Sequence, residues 1–180
     1  NNAVKKRLPE TIIHINKTLG GKVKFIIGGK IKDCVIKHLK EKVKALKYIG
    51  PTSYEESAKI YCEECNIIIA PTDPSLIHNH VSIYEKPLQA LLLGIPTVFT
   101  LGLATYNYLR KELNIKEYHG YIAVRNNAYY GKAIKYIIEN YDLMKKSAYR
   151  VADEIVNKIS RQILARKRVE TLINILQEKK

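Results

Sequence analysis

The chain lacks any apolar run that is long enough to cross a membrane, and its N-terminus lacks the pattern of a signal peptide. It also has few cysteines, three in 180 residues, and an odd number argues against a framework of disulfide bonds. These absences argue against a membrane protein and against a secreted disulfide scaffold. We therefore expect a cytoplasmic protein, and the length of the chain predicts one well-packed domain.

Two fingerprints of nucleotide-binding proteins are absent as well. The sequence has no GxGxxG dinucleotide motif and no GxxxxGK[ST] phosphate loop. Their absence argues against the common nicotinamide enzymes and against the P-loop enzymes. No Ser/His/Asp arrangement and no pair of carboxylates with catalytic spacing is recognisable, so these patterns leave the catalytic residues unknown.

Cysteine and histidine pairs are the other candidates for chemistry. Cys62 and Cys65 have the CxxC spacing of redox pairs, but they end a helical pattern, where the helix dipole disfavours a thiolate. A zinc site would need more ligands than Cys34 and the histidines supply. His78 and His80 could suggest a metal or a general base, but no carboxylate pattern accompanies them. We favour incidental cysteines and unliganded loop histidines, and we expect no metal and no cofactor.

What the chain has in excess is positive charge, and the charge is unevenly distributed. The formal net charge is +14; residues 1–50 carry 13 Lys/Arg and 3 Asp/Glu, whereas residues 51–100 carry 2 and 6. A basic first quarter suits phosphates, anionic lipid or nucleic acid as a partner. A solvated lysine-rich surface is the alternative interpretation.

Short apolar strands alternate with helical patterns along the chain. Strands that are almost continuously apolar predict a parallel sheet covered by helices on both faces, which is a Rossmann-like α/β domain. The predicted strands are Val23–Ile27, Ala45–Ile49, Asn66–Ala70, Thr97–Thr100 and Gly120–Val124. The predicted helices cover about 8–21 (with Pro9 in the first turn and Gly20 at the C-terminal cap), 33–44, 54–64, 85–93, 104–113, 129–140, 142–157 and 160–178.

In such sheets ligands bind beyond the carboxyl ends of the strands. The loops expected there are Gly28–Lys30, Gly50–Ser53, Pro71–Tyr84 and Thr100–Ala104. In the first of them, two glycines permit close approach of the backbone to a ligand and Lys30 supplies charge. A plain turn is an equally good interpretation of that loop.

The segment from Val81 to Thr100 joins a polar loop, a helix and a buried strand. The helix must begin close to Glu85, because proline at position 87 fits only in the first turn. Free backbone N–H groups and the helix dipole make that end an anion site, and Lys86 is unfavourable there unless an anion binds nearby. Gln89 lies one turn further on and can hydrogen-bond a sugar hydroxyl. In the alternative interpretation, Lys86 and Gln89 form the solvent side of an amphipathic helix.

The order of the motifs resembles the C-terminal, donor-binding domain of GT-B glycosyltransferases of the group 1 family. The resemblance covers nearly the whole chain, and although each motif is loose, their shared order and spacing are specific. The matching segments are Lys6-Arg7 before the first helix, Phe25–Gly28, Tyr48–Thr52, Cys65–Thr72, Gln89–Val98 and Gly120–Val124.

The resemblance implies that a nucleotide-sugar binds between two domains and that its sugar is transferred, without a metal, to an acceptor glycan, lipid or protein. It assigns donor-binding roles residue by residue. Contacts to the phosphates are implied for Lys6 and for the loop formed by Ser82, Ile83, Tyr84 and Glu85. Lys86 matches a lysine found in one branch of the family. A contact to the ribose is implied for Gln89, and places near the nucleotide base for Gly50, Thr52, Pro71 and Thr72.

Two positions depart from the family pattern. Val81 stands where the first glutamate of a spaced pair would be, and Gln89 replaces the second; glutamine can hydrogen-bond hydroxyls but lacks the charge of a carboxylate. We expect residues 1–180 to form a single donor-binding domain with C-terminal helices over about 142–178. Set against the family pattern, we expect residues 1–180 to leave out the first strand of the usual domain and the whole N-terminal acceptor domain.

This interpretation predicts two further partners. They are an N-terminal acceptor domain of the same longer protein and an anionic membrane surface. Two alternatives remain. One is a domain like that of a sugar-nucleotide epimerase. The other is a basic nucleic-acid-binding module, which would require aromatic pairs on strands, a zinc module or a recognition helix; the sequence shows none of these patterns, so we do not expect nucleic acid.

Overall fold

A computed structural model describes residues 2–72, 85–112 and 114–159. Helices and strands alternate through most of this part of the chain, as predicted. The strands are β1 (Phe25–Gly28), β2 (Leu46–Gly50), β3 (Ile68–Ala70), β4 (Thr97–Thr100) and β5 (Tyr121–Val124). The helices are α1 (Asn2–Thr18), α2 (Asp33–Lys42), α3 (Tyr54–Glu64), α4 (Glu85–Leu92), α5 (Leu103–Asn107), α6 (Tyr130–Glu139) and α7 (Tyr141–Ile159).

All strand pairs are parallel, and hydrogen bonds group the strands into two sheets. β1 pairs with β2, and β3, β4 and β5 form a second sheet with β4 in the middle. A single hydrophobic cluster contains Phe25 and Ile27 from the first sheet and Val98 and Ile122 from the second, so both sheets share one core. The predicted Rossmann-like α/β fold is confirmed, although its strands are not hydrogen-bonded as one sheet.

Helices cover both faces of the sheets. The reason is visible in β4, where successive side chains enter two different hydrophobic cores. Val98 faces a core formed with α1, α2 and α6, whereas Phe99 faces a second core formed with α4 and α7. Successive side chains of a strand point to opposite faces, and every residue of β4 is buried. A strand buried on both faces needs the unbroken apolar and β-branched run that the sequence has here.

The first helix begins earlier than the sequence predicted. It starts at Asn2, so Lys6 and Arg7 lie within the helix and not before it, and Pro9 lies in the helix interior and not in the first turn. The residues before Pro9 include alanine, lysine, arginine and leucine, which are good helix formers, so the helix extends before the proline although the proline removes one backbone hydrogen bond. The predicted cap at Gly20 is confirmed by its φ of 61°.

Other boundaries follow the predictions closely. Ser53 and Glu56 form the predicted capping box of α3, with the Glu56 N–H donating to Ser53 Oγ at 3.1 Å and the Ser53 N–H donating to Glu56 Oε2 at 2.8 Å. The helix predicted over 104–113 is α5 followed by a π-helical turn, Tyr108–Glu112. The helix predicted over 160–178 lies outside the described residues. Within the described chain, no helix combines the length and the apolar character that crossing a membrane requires.

Candidate functional site

Two of the predicted binding loops meet at the carboxyl ends of β1 and β2. Gly28 lies opposite Gly50 in the register, and the Gly29 N–H donates to the Gly50 carbonyl at 2.7 Å. Gly29 and Gly50 have φ values of 96° and 73°, which residues with a side chain rarely adopt. The Tyr48 hydroxyl donates to the Gly29 carbonyl at 2.9 Å and so holds the turn against β2. The sequence therefore placed these glycines correctly at one edge.

Two polar residues follow these glycines, Lys30 and Thr52, and they differ in whether their polar groups are already paired. Lys30 is exposed and forms no ion pair with any described residue. Thr52 is half-buried, and its hydroxyl lies 2.7 Å from the hydroxyl of Ser57 in the first turns of α3. The Thr52 hydroxyl is thus engaged with α3, whereas the Lys30 ammonium is available to an anion.

A second cluster closes the carboxyl ends of β3 and β4. The Thr72 N–H donates to Thr100 Oγ1 at 2.9 Å, and the Thr100 hydroxyl donates to the Thr72 carbonyl at 3.2 Å. The Thr100 and Tyr130 hydroxyls are 3.1 Å apart, and the Tyr130 hydroxyl donates to the Ala70 carbonyl at 2.9 Å. Two strand ends and the start of α6 are therefore held together at one point.

The sequence predicted Pro71 and Thr72 at this edge. It did not predict Thr100 and Tyr130, whose hydroxyls form the hydrogen bonds there. Thr100 opens a loop that was expected to lie near the ligand, yet nothing marked its hydroxyl. Tyr130 is an aromatic residue at a helix start, a pattern that indicates core packing and not polar contact. The only available signal was the position of Thr100 at the end of a buried strand.

Among the residues that the structure describes, several buried polar side-chain atoms have no hydrogen-bond partner. They are Thr72 Oγ1, both amide atoms of Gln89, and Asn127 Oδ1. Buried polar groups are nearly always hydrogen-bonded in folded proteins, and each one left unsatisfied costs about 1–3 kcal/mol. At the carboxyl edge of an α/β sheet, such atoms are free to hydrogen-bond a bound molecule or ordered water.

Gln89 and Lys86 share α4 but have different surroundings. Gln89 is 3% exposed, so its placement on a solvent side of the helix is wrong. Lys86 is exposed, and its Nζ lies 5.9 Å from the centroid of the Tyr61 ring. Burial of Gln89 follows from the packing of α4 against β3 and β4 on one side and α7 on another.

For the remaining predicted site residues, the structure describes the backbone of some and leaves out the others. Glu85 is the first residue of α4 and Lys6 lies in α1, but their side chains are outside the described set. Val81, Ser82, Ile83 and Tyr84, together with His78 and His80, lie outside the described residues.

The cysteine pair lies at the opposite, amino-terminal end of β3. Cys62 is exposed, Cys65 is half-buried, and both are free thiols. Burial, and then the Glu64 carboxylate, raise the pKa of the Cys65 thiol, which disfavours the reactive thiolate. Across residues 2–72, 85–112 and 114–159, no group of three or more His, Cys, Asp or Glu side chains could hold a metal ion.

The fold and the position of this edge define the chain as one Rossmann-like half of a GT-B glycosyltransferase-like fold. No known family and no curated protein matches the sequence. Among solved structures the chain is similar to HepE from Anabaena in complex with UDP and glucose, with a TM-score of 0.63, 16% identity and coverage of 90% of this chain and 44% of HepE. For HepE in complex with UDP-glucose the TM-score is 0.58 and the identity 13%, with coverage of 92% and 53%.

This likeness confirms the predicted fold. At 13–16% identity it shows the fold alone, and the chain spans about half the length of HepE.

Proposed function

We propose that this chain is the donor-binding part of a glycosyltransferase and that it holds a nucleotide-sugar at the carboxyl edge of its strands. Support comes from the likeness to HepE, whose structures contain UDP, glucose or UDP-glucose. The observation that carries the proposal is the buried, unpartnered amide of Gln89.

The Gln89 amide has two N–H donors and an oxygen acceptor. Vicinal hydroxyls of a ribose or a hexose can accept from the first and donate to the second, which removes the cost of the unsatisfied amide. The family resemblance has a glutamate at this position, and glutamine keeps the acceptor while adding a donor. Thr72 Oγ1, at the end of β3, offers a further hydroxyl contact.

Charge for the diphosphate comes from the chain itself. α4 begins at Glu85, and its N-terminal N–H groups and dipole favour an anion at that end. Lys86 in the first turn and Lys30 beside the glycine turns are exposed cations. In this proposal the acceptor oxygen bonds to the anomeric carbon as the bond to the diphosphate breaks, and the acceptor's proton passes to the departing diphosphate. The α4 N-terminus and the two lysines stabilise the negative charge of that leaving group. We propose that this occurs without a metal ion or other cofactor.

The opposite wall of the cleft is proposed to come from an N-terminal acceptor domain. We further propose that the basic first quarter of the chain lies near an anionic membrane surface. Support for this comes from Lys37 and Lys40, two exposed lysines three residues apart on α2, neither of which forms an ion pair with a described residue.

The test is calorimetry and ligand-observed NMR with UDP-, GDP- and ADP-glucose, each with and without EDTA. We expect one base to be preferred, EDTA to have no effect, and Lys86→Ala to weaken binding about three- to tenfold through loss of one phosphate contact. Lys59→Ala is the matched control, because Lys59 is an exposed lysine on the neighbouring helix α3. A folded protein that binds no nucleotide-sugar at millimolar ligand would contradict the proposal, as would tighter binding to RNA or DNA.

A further inference from the structure

A groove of about 440 Å³ runs along β5, on the side covered by α6. Its floor includes Ile122 and Val124, and its walls include three tyrosines and two cations. The tyrosines are Tyr118, Tyr129 and Tyr136, and the cations are Arg125 and Lys132. The proposed donor site uses none of these residues, so the groove needs its own explanation.

The three tyrosine rings of the groove are accessible to a ligand. Tyr118 and Tyr129 are each 49% exposed and Tyr136 is 38% exposed. The rings of Tyr118 and Tyr136 meet edge to face, with centroids 5.2 Å apart and an interplanar angle of 75°. From Tyr129 to Tyr136 the helix rises about 10 Å, enough for a short chain of rings to lie along the groove.

The two cations are free to bind an anion. Arg125 and Lys132 are exposed, and neither forms an ion pair with a described residue. Lys135, three residues further along α6, instead lies 3.7 Å from Glu139. Glu117, the residue before Tyr118, accepts a hydrogen bond from the Ala123 N–H at 3.1 Å, so its carboxylate is engaged with the strand.

The outer edge of β5 is closed to an added strand. Glu117 occupies the N–H of Ala123, and the Tyr118 N–H donates to the Tyr121 carbonyl at 2.9 Å. A peptide that bound by extending the sheet would need these same backbone groups. The groove must therefore recognise its ligand through side chains.

The groove opens at the same edge as the candidate site. Arg125 directly follows the carboxyl end of β5, and Tyr129 precedes Tyr130, whose hydroxyl joins the cluster with Thr100. A polymer that reaches the proposed site could continue along the groove without crossing the sheet.

We propose that this groove binds a sugar chain that carries negative charge. Tyrosine rings offer flat apolar surfaces to the C–H faces of sugar rings, and their hydroxyl groups can pair with sugar hydroxyls. Arg125 and Lys132 pair with carboxylate or sulfate groups along the chain. The further role of this sugar chain as the acceptor rests on the proposed function, whereas its binding does not.

The test is calorimetry at low salt on the 180-residue chain, without any nucleotide-sugar. The probes are a hexasaccharide of galacturonic acid, a sulfated hexasaccharide, the neutral maltohexaose and a single-stranded DNA oligonucleotide. We expect an acidic hexasaccharide to bind about tenfold more tightly than maltohexaose, and the two acidic probes distinguish carboxylate from sulfate. Tyr136→Ala should weaken this binding about tenfold and Lys132→Ala about threefold.

One matched control lies on α6 itself and the other lies outside the groove, on α3. Lys135→Ala and Tyr54→Ala should leave binding unchanged, because Lys135 is paired and Tyr54 is an exposed tyrosine outside the groove. Tyr136→Phe should retain most of the affinity, and circular dichroism confirms that each variant is folded. The proposal is overturned if no probe binds, if maltohexaose binds equally well, if the controls weaken binding as much as the groove variants, or if the oligonucleotide binds more tightly. Since no nucleotide-sugar is present, failure here leaves the donor proposal standing, and the reverse also holds.

Discussion

The hydroxyl of Tyr130 lies 3.1 Å from the hydroxyl of Thr100, and both side chains are buried. Tyr130 also donates to the Ala70 carbonyl at 2.9 Å, so one hydroxyl ties the start of α6 to the ends of β3 and β4. This contact connects residues 30 and 60 positions apart in the sequence and holds the edge where the candidate site lies.

Replacing Tyr130 by phenylalanine removes the hydroxyl but keeps the ring. We expect the free energy of unfolding to fall by about 1–3 kcal/mol, because the half-buried Ala70 carbonyl loses its hydrogen-bond donor. Urea denaturation measures this change. Tyr129→Phe is the control: the neighbouring ring is half exposed, and its substitution should change stability by less than about 0.5 kcal/mol. Equal effects from the two variants would contradict the contact.

Gly120 precedes β5 in a conformation that allows no side chain. Its φ is 91°, and a Cβ there would lie 2.7 Å from the Ala148 Cα in α7. We expect Gly120→Ala to destabilise the fold by about 3 kcal/mol or more, through backbone strain and overpacking together. At Gly20 φ is also positive, 61°, but a Cβ would meet nothing within 4 Å, so Gly20→Ala should cost only about 1–2 kcal/mol. A smaller effect at Gly120 than at Gly20 would show that α7 does not pack here.

Tyr121 is fully buried, stacks on Phe99 with ring centroids 5.6 Å apart, and donates to the Ile115 carbonyl at 3.1 Å. Burial, and then the Glu117 carboxylate, raise the pKa of its hydroxyl well above the ordinary value for tyrosine. The unfolded chain therefore releases this proton at a lower pH than the folded chain, so stability falls as the pH rises above about 10. Urea midpoints near pH 9 and pH 10.5 should show a larger loss for the wild type than for Tyr121→Phe. Parallel losses would contradict the assignment.

Glu64 joins Lys47, at 2.7 Å, and Lys24, at 3.7 Å, on the exposed surface beside β2. The hydrogen bond from Lys47 lowers the pKa of the Glu64 carboxyl. The stabilisation from this carboxylate is therefore fully present above the carboxyl pKa of the unfolded chain, about 4.3. It is lost as the pH falls through the lower carboxyl pKa of the folded chain. Glu64→Gln should remove this acid dependence, and added salt should weaken it in the wild type. Glu63→Gln serves as the control. If stability falls with decreasing pH as steeply in Glu64→Gln as in the wild type, the role of the Glu64–Lys47 ion pair is refuted.

The fold followed from the sequence because its signals are local. Apolar runs, the Ser53–Glu56 capping box and the glycines after β1 and β2 each specify their own conformation. The start of α1 was missed because Pro9 resembles a first-turn proline, although good helix formers precede it.

The candidate site was only half predictable. Gly29 and Gly50 lie where loops of a parallel sheet must meet, and α4 begins where proline at position 87 requires. The contact of Thr100 with Tyr130, by contrast, depends on how α6 packs across the sheet. Gln89 could have faced solvent or core, since helical periodicity near Lys86 permits both, and its burial is set by the packing of α4 against its neighbours.

The most direct test of the central claim is the affinity of the chain for UDP-glucose in three versions: wild type, Gln89→Glu and Gln89→Ala. If the Gln89 amide binds hydroxyls of the donor, Gln89→Glu should keep measurable affinity, because its carboxylate still accepts two hydrogen bonds. Gln89→Ala should weaken binding about tenfold or more, since both the donor and the acceptor of the amide are gone. Equal affinity in all three folded proteins would contradict the account.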